Sequence, residues 1–286
     1  MNDFAYRRPA SLDEACRLVR EKGAMLLAGG QTLLRDMKRG RHSPASLVDI
    51  TGLVPRRIEF RDGAISIGAG ATHADVAGSA LLRERLPVLA ALAGHIGDPA
   101  VRHRGTSGGA IAANEPAGDY PAACLGFDAT IHTTARSIAA AEFFGADGRT
   151  VLEPGEIVTA VTFPIVRQAG YIKFLNPAAR YAMVGVVAAR AADGSPRIAV
   201  TGARASGAFR WREAEKSVTA TFTSENLEGV ELRRDGLLED LFADAEYRGH
   251  LAGVLTRRAV ALAGGPAPGV IILSHGSRSA SSQSPR

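Results

Sequence analysis

Cysteine is almost missing: the 286 residues include two, Cys16 and Cys124. Two isolated cysteines build neither a disulfide framework nor an iron–sulfur cage. Cys16 lies in a helical pattern and Cys124 in an apolar one, so both read as small buried hydrophobes. His42, His103, His132, His250 and His275 lack the spacing of metal ligands, so no metal centre is expected. Aromatic residues make up 6%, and the 34 basic residues are scattered without a run of five. The net charge of +5 therefore describes a solvated, mildly basic surface and not a nucleic-acid interface. Nowhere do eighteen apolar residues run together, and the opening residues have no apolar signal core. The expectation is a cytoplasmic chain without a membrane span. No catalytic residue is assigned.

Glycine is abundant instead, at 32 residues. Without a collagen-like period, that much glycine marks tight turns and close backbone approaches. Around it the chain reads as mixed α and β. Phe4 to Tyr6 reads as a strand, and Ser11 with Glu14 forms a capping box that opens a helix over about 11–22. A strand over Ala24 to Ala28, a helix holding Leu33, Leu34 and Met37, and a strand over Ser46 to Ile50 complete a βαβαβ-like unit. Arg61-Asp62-Gly63 turns a hairpin between strands near 58–60 and 64–67. Helices follow over Thr72 to Ala77 and Leu81 to Ala93, the second interrupted by Pro87. Residues 96–117 show almost no hydrophobic periodicity, whereas Ala122 to Thr133 and Ile157 to Phe163 read as strands. After Pro164, strands are expected at 171–174, 182–190 and 196–201, and helices at 237–242 and 245–263. The Ser-rich stretch 276–286 reads as a disordered tail.

Three segments concentrate the glycine. Leu27-Ala28-Gly29-Gly30-Gln31-Thr32-Leu33 lies between a strand and a helix, where unpaired N–H groups and the helix dipole favour an anion such as phosphate. Alone, such a loop reads as a tight strand-to-helix turn without a ligand. Gly68-Ala-Gly-Ala-Thr-His73 lacks the third glycine of a dinucleotide fingerprint and follows a hairpin, so an NAD site there is weakly signalled. Gly105-Thr106-Ser107-Gly108-Gly109 lies inside the long aperiodic stretch, and long structured loops are usually functional.

The combination Ala28-Gly-Gly-Gln-Thr-Leu-Leu34, Ile96-Gly-Asp-Pro-x-Val-Arg-x-Arg-Gly-Thr-x-Gly-Gly109 and Pro116-x-x-Asp119-Tyr-Pro121 resembles the FAD-binding medium subunit of molybdenum hydroxylases. The nearest likeness is to the aerobic carbon monoxide dehydrogenase medium-subunit type within the wider xanthine dehydrogenase family. It continues through Tyr171-x-Lys173-Phe174, Asn176 to Tyr181 and Glu246 to Arg258, covering about 3–263.

The resemblance implies an α+β fold. A two-part FAD domain of the vanillyl-alcohol-oxidase (PCMH) type would span 1–166, with subdomains of about 1–55 and 56–166. A smaller α+β C-terminal flavoprotein domain would span 167–265, followed by a partly disordered tail over 266–286. Residues Leu27, Ala28, Gly29, Gly30, Gln31, Thr32 and Leu33 would cradle the pyrophosphate, and Gly105, Thr106, Gly108 and Gly109 would form a second phosphate-facing loop. His73 would belong to an adenine-side loop, Asp119 would meet ribityl or ribose hydroxyls, and Lys173 would lie at the flavin's polar edge. Tyr181 is a further candidate for the isoalloxazine face. Without the resemblance, Lys173 reads as a solvated strand lysine, Asp119 as a helix cap, and Arg102 and Arg104 as loop braces.

The implied work is electron transfer in an oxidoreductase complex, from a [2Fe–2S] small subunit through FAD to an acceptor such as NAD or quinone. A molybdenum-cofactor large subunit would oxidise the substrate, in an assembly expected to be a dimer of heterotrimers. Two other readings stand beside it: a self-contained NAD-dependent dehydrogenase using Gly68 to His73, and a flavin-free scaffold. The sequence departs from the family at Ala113-Asn114-Glu115, where His-Ala-Asp or Asn-Ala-Asp is usual, and over 205–235.

Overall fold

The computed structural model describes residues 3–265 and 269–274. Among these the strands form three sheets, and the buried apolar residues gather into two clusters. The first sheet is small and parallel, in the order Ala5–Arg7, Ser46–Asp49, Ala24–Leu27. Parallel strands need crossovers, and the helices Leu12–Leu18 and Leu33–Lys38 supply them. Ser11 caps the first by accepting from the Glu14 N–H, while Glu14 accepts from the Ala10 N–H. The Ser11 bond is made as expected, but Glu14 reaches one residue too far back to close the capping box on Ser11 N–H, and this helix stops at Leu18, short of the expected 22.

The second sheet is antiparallel, in the order Ile58–Arg61, Ala64–Gly68, Val158–Pro164, Thr130–Thr133, Ser137–Ala139. Pro87 divides the expected helix into Ala80–Arg85 and Pro87–Gly94. It occupies a first helical position, and Leu86 before it is forced out of helical backbone.

Four expectations are overturned. The aperiodic stretch contains two short helices, Pro99–Arg102 and Ser107–Ala113, each capped at its start by Asp98 or Thr106. Residues expected as a strand from Ala122 form the helix Asp119–Gly126, and the strand begins only at Thr130. Every residue of that helix is buried. A helix enclosed on all sides carries no polar face, and so no period by which to tell it from a buried strand. Residues 237–242 are not helical: Leu238 N–H donates to the Ala203 carbonyl, and Asp240 accepts from the Phe242 and Ala243 N–H groups. These tertiary and side-chain bonds replace the helical ladder. Finally, Val270–Leu273 is no tail but a strand, parallel to Gln168–Leu175. The expected disorder of 276–286 lies outside the described residues.

The third sheet, in the order Phe209–Arg210, Pro196–Thr201, Ala182–Arg190, Gln168–Leu175, Val270–Leu273, is covered by the long helix Ala245–Gly264. Its opposite face meets the buried helix Asp119–Gly126. Gly126 faces Val187, where a Cβ would come within 2.5 Å of a Val187 methyl. That close packing sets the C-terminal sheet directly against the N-terminal part of the chain.

Candidate functional site

The first Gly-rich loop begins where strand Ala24–Leu27 ends. Gly30 has φ +73°, a left-handed backbone that glycine adopts without steric cost. The reversal leaves the N–H groups of Gly29, Gly30, Gln31 and Thr32 without a hydrogen bond among the described residues, while Leu34 and Asp36 donate to the Gly30 and Thr32 carbonyls. Gln31 Nε2 reaches the Gly29 carbonyl at 3.5 Å, and the Thr32 side chain makes no capping bond. Four successive free donors where a helix begins are the backbone chemistry that receives a phosphate.

The second loop packs on the first, backbone to backbone. A Cβ on Gly29 would stand 2.1 Å from the Arg104 carbonyl oxygen, so only glycine fits there. In this second loop the donors of Gly105, Ser107, Gly108 and Gly109 are already committed. Ser107 N–H donates to the Ala71 carbonyl at 2.9 Å, Gly108 N–H to that of Ala69 at 3.0 Å, and Gly109 N–H to Thr106 Oγ1 at 3.2 Å. The Ser107 hydroxyl also donates to the Gly68 carbonyl at 3.1 Å. This loop shapes the wall and locks the third segment behind it.

In the third segment every N–H from Gly68 to His73 is committed. The acceptors are the carbonyls of Arg57, Thr159, Pro55, Gly68 and Gly105, with Asp75 Oδ2 for Thr72. No donor remains there for a pyrophosphate, which removes the basis of the NAD reading.

The three segments enclose a 490 Å³ cavity, within the range of small-molecule sites. Its lining includes Ala28, Gly29, Gly30, Gln31, Thr32, Leu33, His73, Gly105, Thr106, Gly108 and Gly109. Leu27, Asp119 and Lys173 are not part of it. Sequence reasoning missed the apolar wall formed by Leu26, Ile50, Val54, Leu152, Ile157 and Val158, and three lining carboxylates, Asp36, Glu115 and Glu156. Asp36 lies four residues after Thr32, on the same helical face, and that spacing could have revealed it. Nothing in the sequence brings Glu156 to this place.

The lining contains no lysine or arginine, and arginines behind it hold the carboxylates. Arg136 Nε donates to Glu156 at 3.0 Å, and Thr133 Oγ1 and Glu153 N–H donate to the same carboxylate. Burial alone would raise the Glu156 carboxyl, but these bonds hold it below the usual range. Arg35 lies 3.4 Å from Asp36 and 3.3 Å from Glu115.

His73 is 4% exposed, and its Nδ1 has no hydrogen-bond partner. Burial pushes its pKa down to about 4, helped by Arg102 and opposed by Asp119, so the ring is neutral at pH 7. It packs 5.3 Å from the Tyr120 ring, whose hydroxyl also lacks a partner. That nitrogen is enclosed by the protein and not open to the cavity, so the ring contributes a neutral, packed part of the wall.

Asp119 and Lys173 meet each other. Lys173 Nζ donates to Asp119 Oδ2 at 2.8 Å, and the Tyr171 hydroxyl donates to Oδ1. Asp119 is the first helical residue after the cap Gly118, so it does not cap this helix, and Lys173, 1% exposed, is not a solvated strand lysine. Arg102 does brace its loop, donating to the Ile96 and Gly97 carbonyls at 3.1 and 3.0 Å. Asn114 caps helix Ser107–Ala113 with φ 42° and donates to the Gly148 carbonyl, a structural role.

This arrangement agrees with comparisons to known proteins. Residues 2–166 match the family described as the FAD binding domain in molybdopterin dehydrogenase. The carbon monoxide dehydrogenase medium chain of Hydrogenophaga pseudoflava is 31% identical, covering 90% of this chain and 96% of that one. The nicotine 6-hydroxylase medium subunit of Paenarthrobacter nicotinovorans is also 31% identical, over 91% of this chain and 96% of its own. Reconstituted CO dehydrogenase from Oligotropha carboxidovorans superposes with a TM-score of 0.82 at 29% identity, covering 91% of this chain and 96% of that one. The free donors at Gly29–Thr32 fit the pyrophosphate of FAD. With residues 2–166 matched by the family and nine-tenths of its length by such relatives, the chain belongs to the family of FAD-binding domains of molybdopterin dehydrogenases.

Proposed function

We propose that this chain is the FAD-binding medium subunit of a molybdenum hydroxylase complex and that it carries electrons without oxidising the organic substrate. The observation that carries the reading is the run of four free N–H donors at Gly29–Thr32, set against a cavity with no fixed cation. The pyrophosphate of FAD supplies the negative charge those donors lack, and the apolar wall around Ile50, Val54 and Ile157 suits a flat ring. When bound, FAD accepts electrons singly or in pairs, which is its chemistry and not the protein's. The chain's own residues bind, orient and exclude water: Gln31 and Thr32 at the helix start, His73 neutral in the wall, and Asp119 with Lys173 behind it.

On this reading the two-part cofactor domain is of the vanillyl-alcohol-oxidase type and spans 1–166. A [2Fe–2S] small subunit delivers electrons, a molybdenum-cofactor large subunit generates them, and an acceptor such as NAD or quinone removes them. Both of this chain's cysteines are free, and no group of three metal-ligating side chains occurs among the described residues. No helix among them is long and apolar enough to cross a membrane.

The test is co-purification of the tagged chain from its source, with a visible spectrum of the product. Flavin absorbance together with two further subunits supports the proposal. A colourless chain that stays colourless after FAD soaking and recruits no partner overturns it.

A further inference from the structure

Arg35 stands at the junction of three parts of the chain. It projects from the helix that follows the donor loop and lies 3.4 Å from Asp36 Oδ1 beside it. Its Nη2 lies 3.3 Å from Glu115 Oε2, in the stretch after helix Ser107–Ala113. Its Nη1 donates to the hydroxyl of Tyr181, which belongs to the turn joining strands Gln168–Leu175 and Ala182–Arg190. That turn is held by its own bonds, Asn176 N–H to the Tyr181 carbonyl at 2.9 Å and Ala178 N–H to Asn176 Oδ1 at 2.9 Å. The hydroxyl is therefore presented by a fixed turn.

Asp36 and Glu115 both line the cavity, and Arg35 does not. From behind the rim, this guanidinium pairs with both carboxylates, sharing Asp36 with Arg41 at 3.6 Å, and offsets charge that would otherwise repel a phosphate. A planar guanidinium offers five donors in fixed directions, so it holds three partners in a set geometry, whereas the three donors of an ammonium turn freely on a flexible stem. Arg35 is 23% exposed in its side chain and Tyr181 is 44% exposed, which places the contact at the surface edge of the cleft.

We infer that Arg35 is a positioning residue that clasps the cofactor cleft, joining the donor loop, the second lobe and the C-terminal turn across its rim and so setting how slowly FAD leaves. The inference rests on the FAD reading above and adds a determinant of retention to it.

The experiment measures FAD release from the full-length holoprotein, by recovery of flavin fluorescence under dilution, for wild type, R35M, R35K, Y181F and R234M. Arg234 pairs with Glu246 on the far helix and serves as the control for loss of a surface arginine. R35M should release FAD at least about tenfold faster, a change of about 1.4 kcal/mol. R35K should fall between R35M and wild type. Y181F removes only an exposed hydroxyl and should accelerate release about threefold without lowering the melting temperature, while R234M should match wild type. Rising salt should speed release from wild type more than from R35M. Release rates for R35M and Y181F within twofold of wild type, or rates that follow only the loss of melting temperature, overturn the clasp. A wild-type chain that holds no FAD sinks the functional reading itself, so the two failures are distinct.

Discussion

Lys173 and Asp119, 54 residues apart, meet at 2.8 Å with both side chains buried. The pair joins the helix Asp119–Gly126 to the strand Gln168–Leu175, and Tyr171 from the same strand holds the other carboxylate oxygen. A buried ion pair adds little net stability over well-packed apolar residues, but removing one partner leaves an uncompensated charge. Its consequence is that the cofactor half and the C-terminal sheet are tied by a polar contact that tolerates no single loss.

Lys173→Met should therefore destabilise the protein by about 3–5 kcal/mol, read from urea unfolding. The double variant with Asp119→Asn should recover at least half of that loss, because the stranded carboxylate is gone. Equal destabilisation by the single and double variants would show that the pair contributes through packing alone.

Gly29 is closed to any side chain by the Arg104 carbonyl, 2.1 Å from where a Cβ would stand. Gly29→Ala must push the two loops apart, at a cost of about 3 kcal/mol. It should also abolish FAD retention, since it displaces the donor run. Gly63 is the comparison: it lies in an open hairpin turn, so Gly63→Ala carries only the strain of its positive φ and should leave FAD binding intact. Thermal melting and flavin content of the two purified variants check this.

Buried neutral His73 makes stability depend on pH. Its folded pKa of about 4 lies below the unfolded value near 6.5, so the unfolded chain binds the proton more readily between them. Stability from this source is complete above about pH 6.5 and is lost as pH falls towards 4, by up to about 3 kcal/mol. His73→Phe keeps a ring against Tyr120 and cannot titrate, so its stability should fall less steeply over that window. Parallel wild-type and variant curves between pH 6.5 and 4 would contradict the assignment.

Much of the fold was legible where side chains alternate between solvent and core. The first βαβαβ unit, the hairpin at 58–67 and the strands after Pro164 carry clear periods and turn glycines, and each was found. Helix Asp119–Gly126 was misread because nothing on it faces water, and Val270–Leu273 because a short apolar run after a helix carries no sign of its distant parallel partner. The Gly-rich loops were legible as a group, since close backbone approach needs glycine. Which of their N–H groups stay free was not: that depends on carbonyls of Ala69 and Ala71, which only folding brings to Gly108 and Ser107. The carboxylates Glu115 and Glu156 and their arginines stayed hidden for the same reason, being separated in sequence and joined in space, whereas Asp36 stands beside Arg35 and one turn after Thr32.

The central claim is that Gly29–Thr32 receives a pyrophosphate, and it is tested most directly by comparing the affinities of the full-length apoprotein for FAD and riboflavin in one fluorescence titration. Riboflavin carries the same ring without the phosphates. The account predicts stoichiometric FAD binding at least about a hundredfold tighter than riboflavin, close to 3 kcal/mol. Equal affinity for the two, or no binding of FAD, would contradict it.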